Sequence, residues 1–282
     1  MIRKYHVFAK WRKRDVLYLT SHDINVEEGY HSFLINEGDK FDKIVSFFTR
    51  NGFLKSSPPE FSYTQTPSEF SKEELDDSFN YVLNNLGYPK GYPLPGQDFM
   101  KILNTTYASV CIKCGNCRDQ IAPFRIKSEP NWTGKTKLNF SLNWIFDETF
   151  INKDFFQEVF EPLGLKSREV IIHKTGKPAE TAVQLIIPEA KSKLELEGSS
   201  YDTQSHCPVC GIKKYDQRNL DFMPRFKEDF DFIICKTQEV FGETNTHRAR
   251  RKIIINKDFC KLLVDKGLIK YNSNDLIPML ST

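Results

Sequence analysis

The chain has 282 residues, of which 39% are hydrophobic, 27% charged and 13% aromatic, a mix that packs a core and excludes disorder. Forty Lys and Arg against 37 Asp and Glu leave a net charge of +3, too near balance for a surface built throughout for nucleic acid or anionic lipid. No run of 18 apolar residues offers a membrane-spanning helix, and the charged opening MIRKYHVFAKWRKRD lacks the apolar stretch of a secretory signal, which points to a cytoplasmic protein.

Taken in order, Tyr5–Trp11 and Val16–Leu19 read as short strands. Asp39 reads as the N-cap of a helix with Phe41, Ile44, Val45 and Phe48 on one face, stopped by Asn51-Gly52. After a loop from Lys55 to Ser68, Ser71-Lys-Glu-Glu74 forms a capping box. The helix it opens is expected to run through Leu75, Phe79, Val82, Leu83 and Leu86 to Gly87. The segment Tyr88–Gly96 holds three prolines and suits neither a helix nor a central strand. It divides the chain into an N-terminal α/β unit, 1–96, and a second domain, 97–282.

Further on, Leu138, Phe140, Leu142 and Trp144 alternate with polar residues as a period-2 strand, with Asp147-Glu148 on the turn after it. Asn152 reads as the cap of a short helix carrying Phe155, Phe156, Val159 and Phe160, ended by Pro162. Val170–His173 and Val183–Ile187 read as a hairpin around a turn-rich link, and the mostly polar stretch from Pro188 to Ser200 reads as a linker. Phe230–Cys235 and Ile253–Ile255 read as strands, and Asn256 as the cap of a helix with Phe259, Leu262 and Leu263, closed by Gly267.

Seven cysteines, an odd number, make a poor disulfide framework. Their grouping says more. Cys111-Ile-Lys-Cys114-Gly115 and Cys207-Pro-Val-Cys210-Gly211 are two copies of CxxCG. A two-residue spacer lets both sulfurs of a tight turn face one ion, and the glycine frees the backbone at the bend. Two such turns close a Cys₄ site, expected to hold a structural Zn²⁺ on Cys111, Cys114, Cys207 and Cys210. Cys117 and His206 lie beside the two turns and could each replace a ligand; the doubled symmetry favours the four cysteines. With 92 residues between Cys114 and Cys207, the ion clips together two distant parts of the chain around an inserted α/β unit, 118–206. Four thiolates leave no open position for water, so the expected role of the ion is structural rather than catalytic. Cys235 and Cys260 sit in apolar patterns and read as buried small hydrophobes.

Other motifs carry less. Gly134-Lys135-Thr136 ends like a phosphate-binding loop, but Glu129 stands where that pattern needs glycine. His173 reads as a hydrogen-bonded core or edge residue rather than a base. His247-Arg-Ala-Arg-Arg-Lys252 is a dense basic cluster. Through Arg248, Arg250, Arg251 and Lys252 it supports an alternative reading as a nucleic-acid-binding zinc ribbon, against a solvated strand edge as the plainer one.

The paired CxxCG turns around a long α/β insertion, with the closing segment Asp231-Phe-Ile-Ile-Cys-Lys-Thr-Gln-Glu239, resemble the bacterial double-CXXCG-motif family. Members of that family serve as immunity proteins, each binding and neutralising a co-encoded toxin. The resemblance implies metal binding by Cys111, Cys114, Cys207 and Cys210, and a protein partner. The combined expectation is an α+β, zinc-clipped, non-catalytic protein that binds a protein partner.

Overall fold

The computed structural model describes residues 1–51, 61–66, 68–84, 88–90, 104–116, 119–133, 138–142, 145–199, 201, 204–215, 221–242 and 249–280. They form an α+β protein of two compact units. One unit runs from Met1 to Glu74 and takes in Asp221; the other holds the rest.

In the first unit, strands β1 (Lys4–Trp11), β2 (Gly29–Asn36) and β3 (Phe61–Gln65) form an antiparallel sheet in the order β2-β1-β3. Val7, Ala9, Trp11 and Phe61 pack from one face against Leu19 of helix α1 (Lys13–Thr20) and against Phe41, Ile44 and Phe48 of helix α2 (Asp39–Arg50). Val16–Leu19, expected as a strand, lies inside α1. Four apolar residues are too few for periodicity to decide, and the local cap decides instead: Asp15 accepts the Arg12 N–H at 2.9 Å. In α2, Asp39 is the first helical residue and Gly38 the cap, at φ 136°, a conformation open mainly to glycine. Arg3 grips Asp221 through two parallel bonds of 3.0 and 2.9 Å.

The second unit contains β4 (Asn80–Leu83), β5 (Tyr88–Lys90), β6 (Tyr107–Ala108), β7 (Asp119–Gln120), β8 (Arg125–Ile126), β9 (Asn139–Leu142), β10 (Ile145–Asn152), β11 (Lys166–Ile172) and β12 (Pro178–Ile186). It continues with β13 (Gln204–His206), β14 (Lys213–Tyr215), β15 (Ile234–Phe241), β16 (Arg250–Asn256) and β17 (Leu276–Pro278). One sheet runs β5-β9-β10-β12-β11-β8, a second runs β13-β14-β15-β16-β4-β17, and β6 and β7 pair alone. Phe140, Phe150 and Phe124 stack and cross at 5.1 and 5.3 Å in the core of the first sheet.

The capping box is present: the Ser71 N–H donates to Glu74 at 2.8 Å, and the Glu74 N–H donates to the Ser71 hydroxyl at 3.2 Å. Its helix, α3 (Lys72–Asp76), stops after five residues instead of reaching Gly87, which is outside the described residues. Tyr81, Val82 and Leu83 are all buried, because β4 is a central strand between β16 and β17. Burial on both faces outweighs the helical spacing. Through that pairing β4 belongs with the second unit, which takes in the chain from Leu75.

Several other elements differ in kind or extent. Asp147 and Glu148 lie inside β10, not on a turn. All four residues of β9 are buried, Asn139 and Ser141 included, so its alternation does not mark a solvated face. Asn152 caps as expected, accepting the Phe155 N–H at 3.0 Å, but the turns widen over Phe156–Phe160, and Pro162 sits within the last turn. The expected linker after Pro188 is packed: Ala190, Leu194 and Leu196 are buried, and the Ala190 N–H donates to the Lys236 carbonyl at 2.8 Å. Alternate exposed residues made it read as polar. Strand β15 begins at Ile234, since Phe230 and Phe232 instead cluster with Phe226. Asn256 caps helix α4 (Lys257–Asp265) by accepting the Phe259 N–H at 2.8 Å.

The first unit has few residues for one core, so its largest buried side chain matters most. Trp11 meets Phe48 at 5.5 Å and Phe33 at 5.7 Å, and its indole N–H donates to the His31 carbonyl at 2.9 Å. Trp11→Ala is expected to cost about 3–5 kcal/mol, read as a lowered urea midpoint for the unit's unfolding.

Candidate metal centre

Each CxxCG is the turn of a β-ribbon. The first lies between β6 and β7, paired Tyr107↔Gln120 and Ala108↔Asp119. The second lies between β13 and β14, where His206 pairs with Lys213. The two turns share one hydrogen-bond pattern. Gly115 N–H donates to the Cys111 carbonyl at 2.8 Å, and Gly211 N–H to the Cys207 carbonyl at 2.9 Å. Cys111 N–H donates to the Asn116 carbonyl at 2.8 Å, and Cys207 N–H to the Ile212 carbonyl at 3.0 Å. Both glycines hold left-handed backbone, at φ 67° and 70°, which is why each turn closes there.

The turns bring Cys111, Cys114, Cys207 and Cys210 together, with all four sulfurs within 4.8 Å of one another. Cys111 and Cys207 sulfurs are 3.8 Å apart, and those of Cys114 and Cys210 are 3.6 Å apart. Disulfide sulfurs would lie at about 2.05 Å. An ion held tetrahedrally by thiolates at about 2.3 Å spaces its sulfurs by about 3.8 Å, which the observed separations match. The four residues can hold a metal ion.

Burial and main-chain donors act in opposite directions on the four thiols. The Cys210 N–H, against burial and with help from Val209, holds the Cys207 thiol down to about 6. Burial opposes ionisation of Cys111, but N–H groups of Cys114 and Lys113 outweigh it and keep that thiol below its usual value. Burial pushes Cys114 up to about 12 and Cys210 up to about 11. Backbone N–H groups also reach the second sulfurs, from Asn116 to Cys114 and from Ile212 to Cys210, so all four have main-chain donors that favour the thiolate.

The neighbouring candidates stand apart. His206 is exposed and outside the four-sulfur group, and Cys117 lies outside the described residues. Cys235 and Cys260 are buried, and burial lifts both thiols to about 12, as suits inert core residues. His173 sits just past β11, its backbone N–H donating to the Ile126 carbonyl at 2.8 Å, while its buried Nδ1 meets no partner among the described residues.

The basic cluster does not present a united surface. Arg248 is outside the described residues. Arg250, Arg251 and Lys252 belong to β16, where Arg251 pairs with Glu189 and Lys252 is only 4% exposed, its ammonium 5.8 Å from the Phe241 ring centre. Burial lowers the Arg250 guanidinium, partly offset by Asp147, and pushes the Lys252 ammonium down to about 7, with Arg250 adding repulsion.

A polar joint missed by the sequence reading lies beside the centre. Asp147 and Glu148 share a cleft of about 120 Å³ with Tyr107, Asn116, Ile212, Lys236, Val240 and Arg251. Asn116 and Ile212 are the residues that follow the two CxxCG turns. Lys236 of β15 donates to Glu148 of β10 at 2.6 Å, joining the two sheets of the second unit. Gln184 of β12 donates to the other Glu148 oxygen at 2.9 Å and exchanges a reciprocal pair of 2.8 Å amide bonds with Gln120 of β7. No local motif announces partners 36 to 88 residues apart.

Lys252 supplies a pH test. Its folded-state value lies below the unfolded one, so between about pH 7 and pH 10 the unfolded chain binds the extra proton and stability rises with pH. Lys252→Met is therefore expected to flatten that rise, read in paired urea titrations as a smaller gain in midpoint between about pH 7 and pH 10 than wild type shows. Compared with protein-family models, with curated proteins and with solved structures, the chain matches none.

Proposed function

We propose that this protein is a zinc-clipped, non-catalytic binding protein whose partner is another protein, in the sharpest version a toxin encoded beside it. The observation that carries the zinc is the gathering of four sulfurs within 4.8 Å by two matching ribbon turns, two of the separations being 3.8 and 3.6 Å. A site filled by four protein thiolates has no vacant position for substrate or water, so the ion acts through the fold. By tethering β6–β7 to β13–β14 it would close the long chain excursion between them, and its binding energy becomes folding energy. Support for the protein partner is the resemblance of the doubled CxxCG to the immunity family. The nucleic-acid reading of the 248–252 segment is weaker, because Lys252 is buried and Arg251 is engaged by Glu189.

Elemental mass spectrometry of the purified protein is expected to find about one zinc per chain, lost together with thermal stability in a Cys207→Ser, Cys210→Ser double variant. Iron with visible absorbance would replace zinc in this reading, and a metal-free, equally stable protein would end it. For the partner, the protein encoded next to this chain is expected to co-elute with it in gel filtration. Separate elution at micromolar concentrations would remove the toxin-neutralising version.

A further inference from the structure

We propose that the open face of the β2-β1-β3 sheet in the first unit binds single-stranded nucleic acid, stacking bases on Phe8 and Tyr30. Side chains alternate between the faces of a strand, and the register His6↔Leu34, Phe8↔Ser32 and Lys10↔Tyr30 puts these six residues on one side. The opposite side is filled by the helices through Val7, Ala9 and Trp11. On the open side Phe8 is 46%, Tyr30 68% and Leu34 63% exposed, large apolar groups that a sheet with no binding role would bury or replace.

The arrangement is that of a stacking platform. The Phe8 and Tyr30 rings lie 6.1 Å apart and 21° from parallel, and the Lys10 ammonium stands 5.6 Å from the Tyr30 ring centre. Every base has a π-face, so two neighbouring rings with a cation beside them grip a strand without reading its sequence. Charge decides between classes of partner. The six outward positions carry an ammonium and an imidazole and no carboxylate. A basic protein would find nothing to pair with there, whereas phosphates would meet Lys10 and His6, and the Ser32 hydroxyl offers a bond to base edges. A duplex hides its base faces and fits the platform poorly. This site is independent of the four cysteines and of the reading built on them.

The test is fluorescence anisotropy of labelled oligouridine, oligothymidine and a matched duplex against the full chain, at low and at physiological salt. Single strands are expected to bind better than the duplex, and to weaken as salt rises. Phe8→Ala and Tyr30→Ala should each weaken binding about tenfold or more, while Phe8→Tyr and Tyr30→Phe retain it, all four melting near wild type. No binding at low salt, equal affinity for the duplex, or alanine variants that bind like wild type would overturn the proposal. So would a protein partner that is lost in the alanine variants while oligonucleotides fail to bind at all.

Discussion

Four sulfurs within 4.8 Å of one another would repel if ionised, and a cation held among them would offset that repulsion. Three of the four cysteines are buried, with Ile212 packed against them and backbone N–H groups directed at their sulfurs. Both large sheets of the second unit connect to that group. One ribbon turn leads through β7 to the first sheet, by way of the Gln120–Gln184 pair. The other leads through β14, which pairs in parallel with β15, into the second sheet. An ion held between the turns therefore ties both sheets at the point where the long excursion between the cysteines begins and ends.

The polar joint beside the centre obeys the same rule at lower cost. Glu148 and Lys236 are each close to nine-tenths buried, and an isolated charge there would carry a desolvation penalty of several kcal/mol. Here the carboxylate accepts from Lys236 with one oxygen and from Gln184 with the other, and Gln184 is completed by Gln120. Such a network specifies geometry more than it adds stability, because each member has its partner in only one register of the strands. Its place next to Asn116 and Ile212 couples the packing of the sheets to the shape of the two turns.

The first unit follows another logic. A small sheet with two helices has little area to bury, and it compensates with rings: Trp11, Phe48 and Phe61 interlock, and Tyr5 stacks on Phe41 at 3.9 Å. Aromatic residues are also what its uncovered face displays. The same sheet thus uses rings on one side for cohesion and displays Phe8 and Tyr30 on the other.

The sequence by itself determined the parts whose cause is local. The capping box at Ser71–Glu74, the caps at Asn152 and Asn256, the helix bearing Phe41, Ile44 and Phe48, the hairpin of β11 and β12, and both CxxCG turns were legible, because each depends on side chains within a few residues of the backbone they control. The metal centre could be read because its two halves carry the same spacing. Tertiary structure alone decided that Tyr81–Leu83 is a strand, that the stretch after Pro188 is packed, that Lys252 is buried, and that Glu148 meets Lys236. Those outcomes depend on what the opposite strand supplies, and burial against a distant neighbour changes the energy of a residue by more than its own conformational preference does.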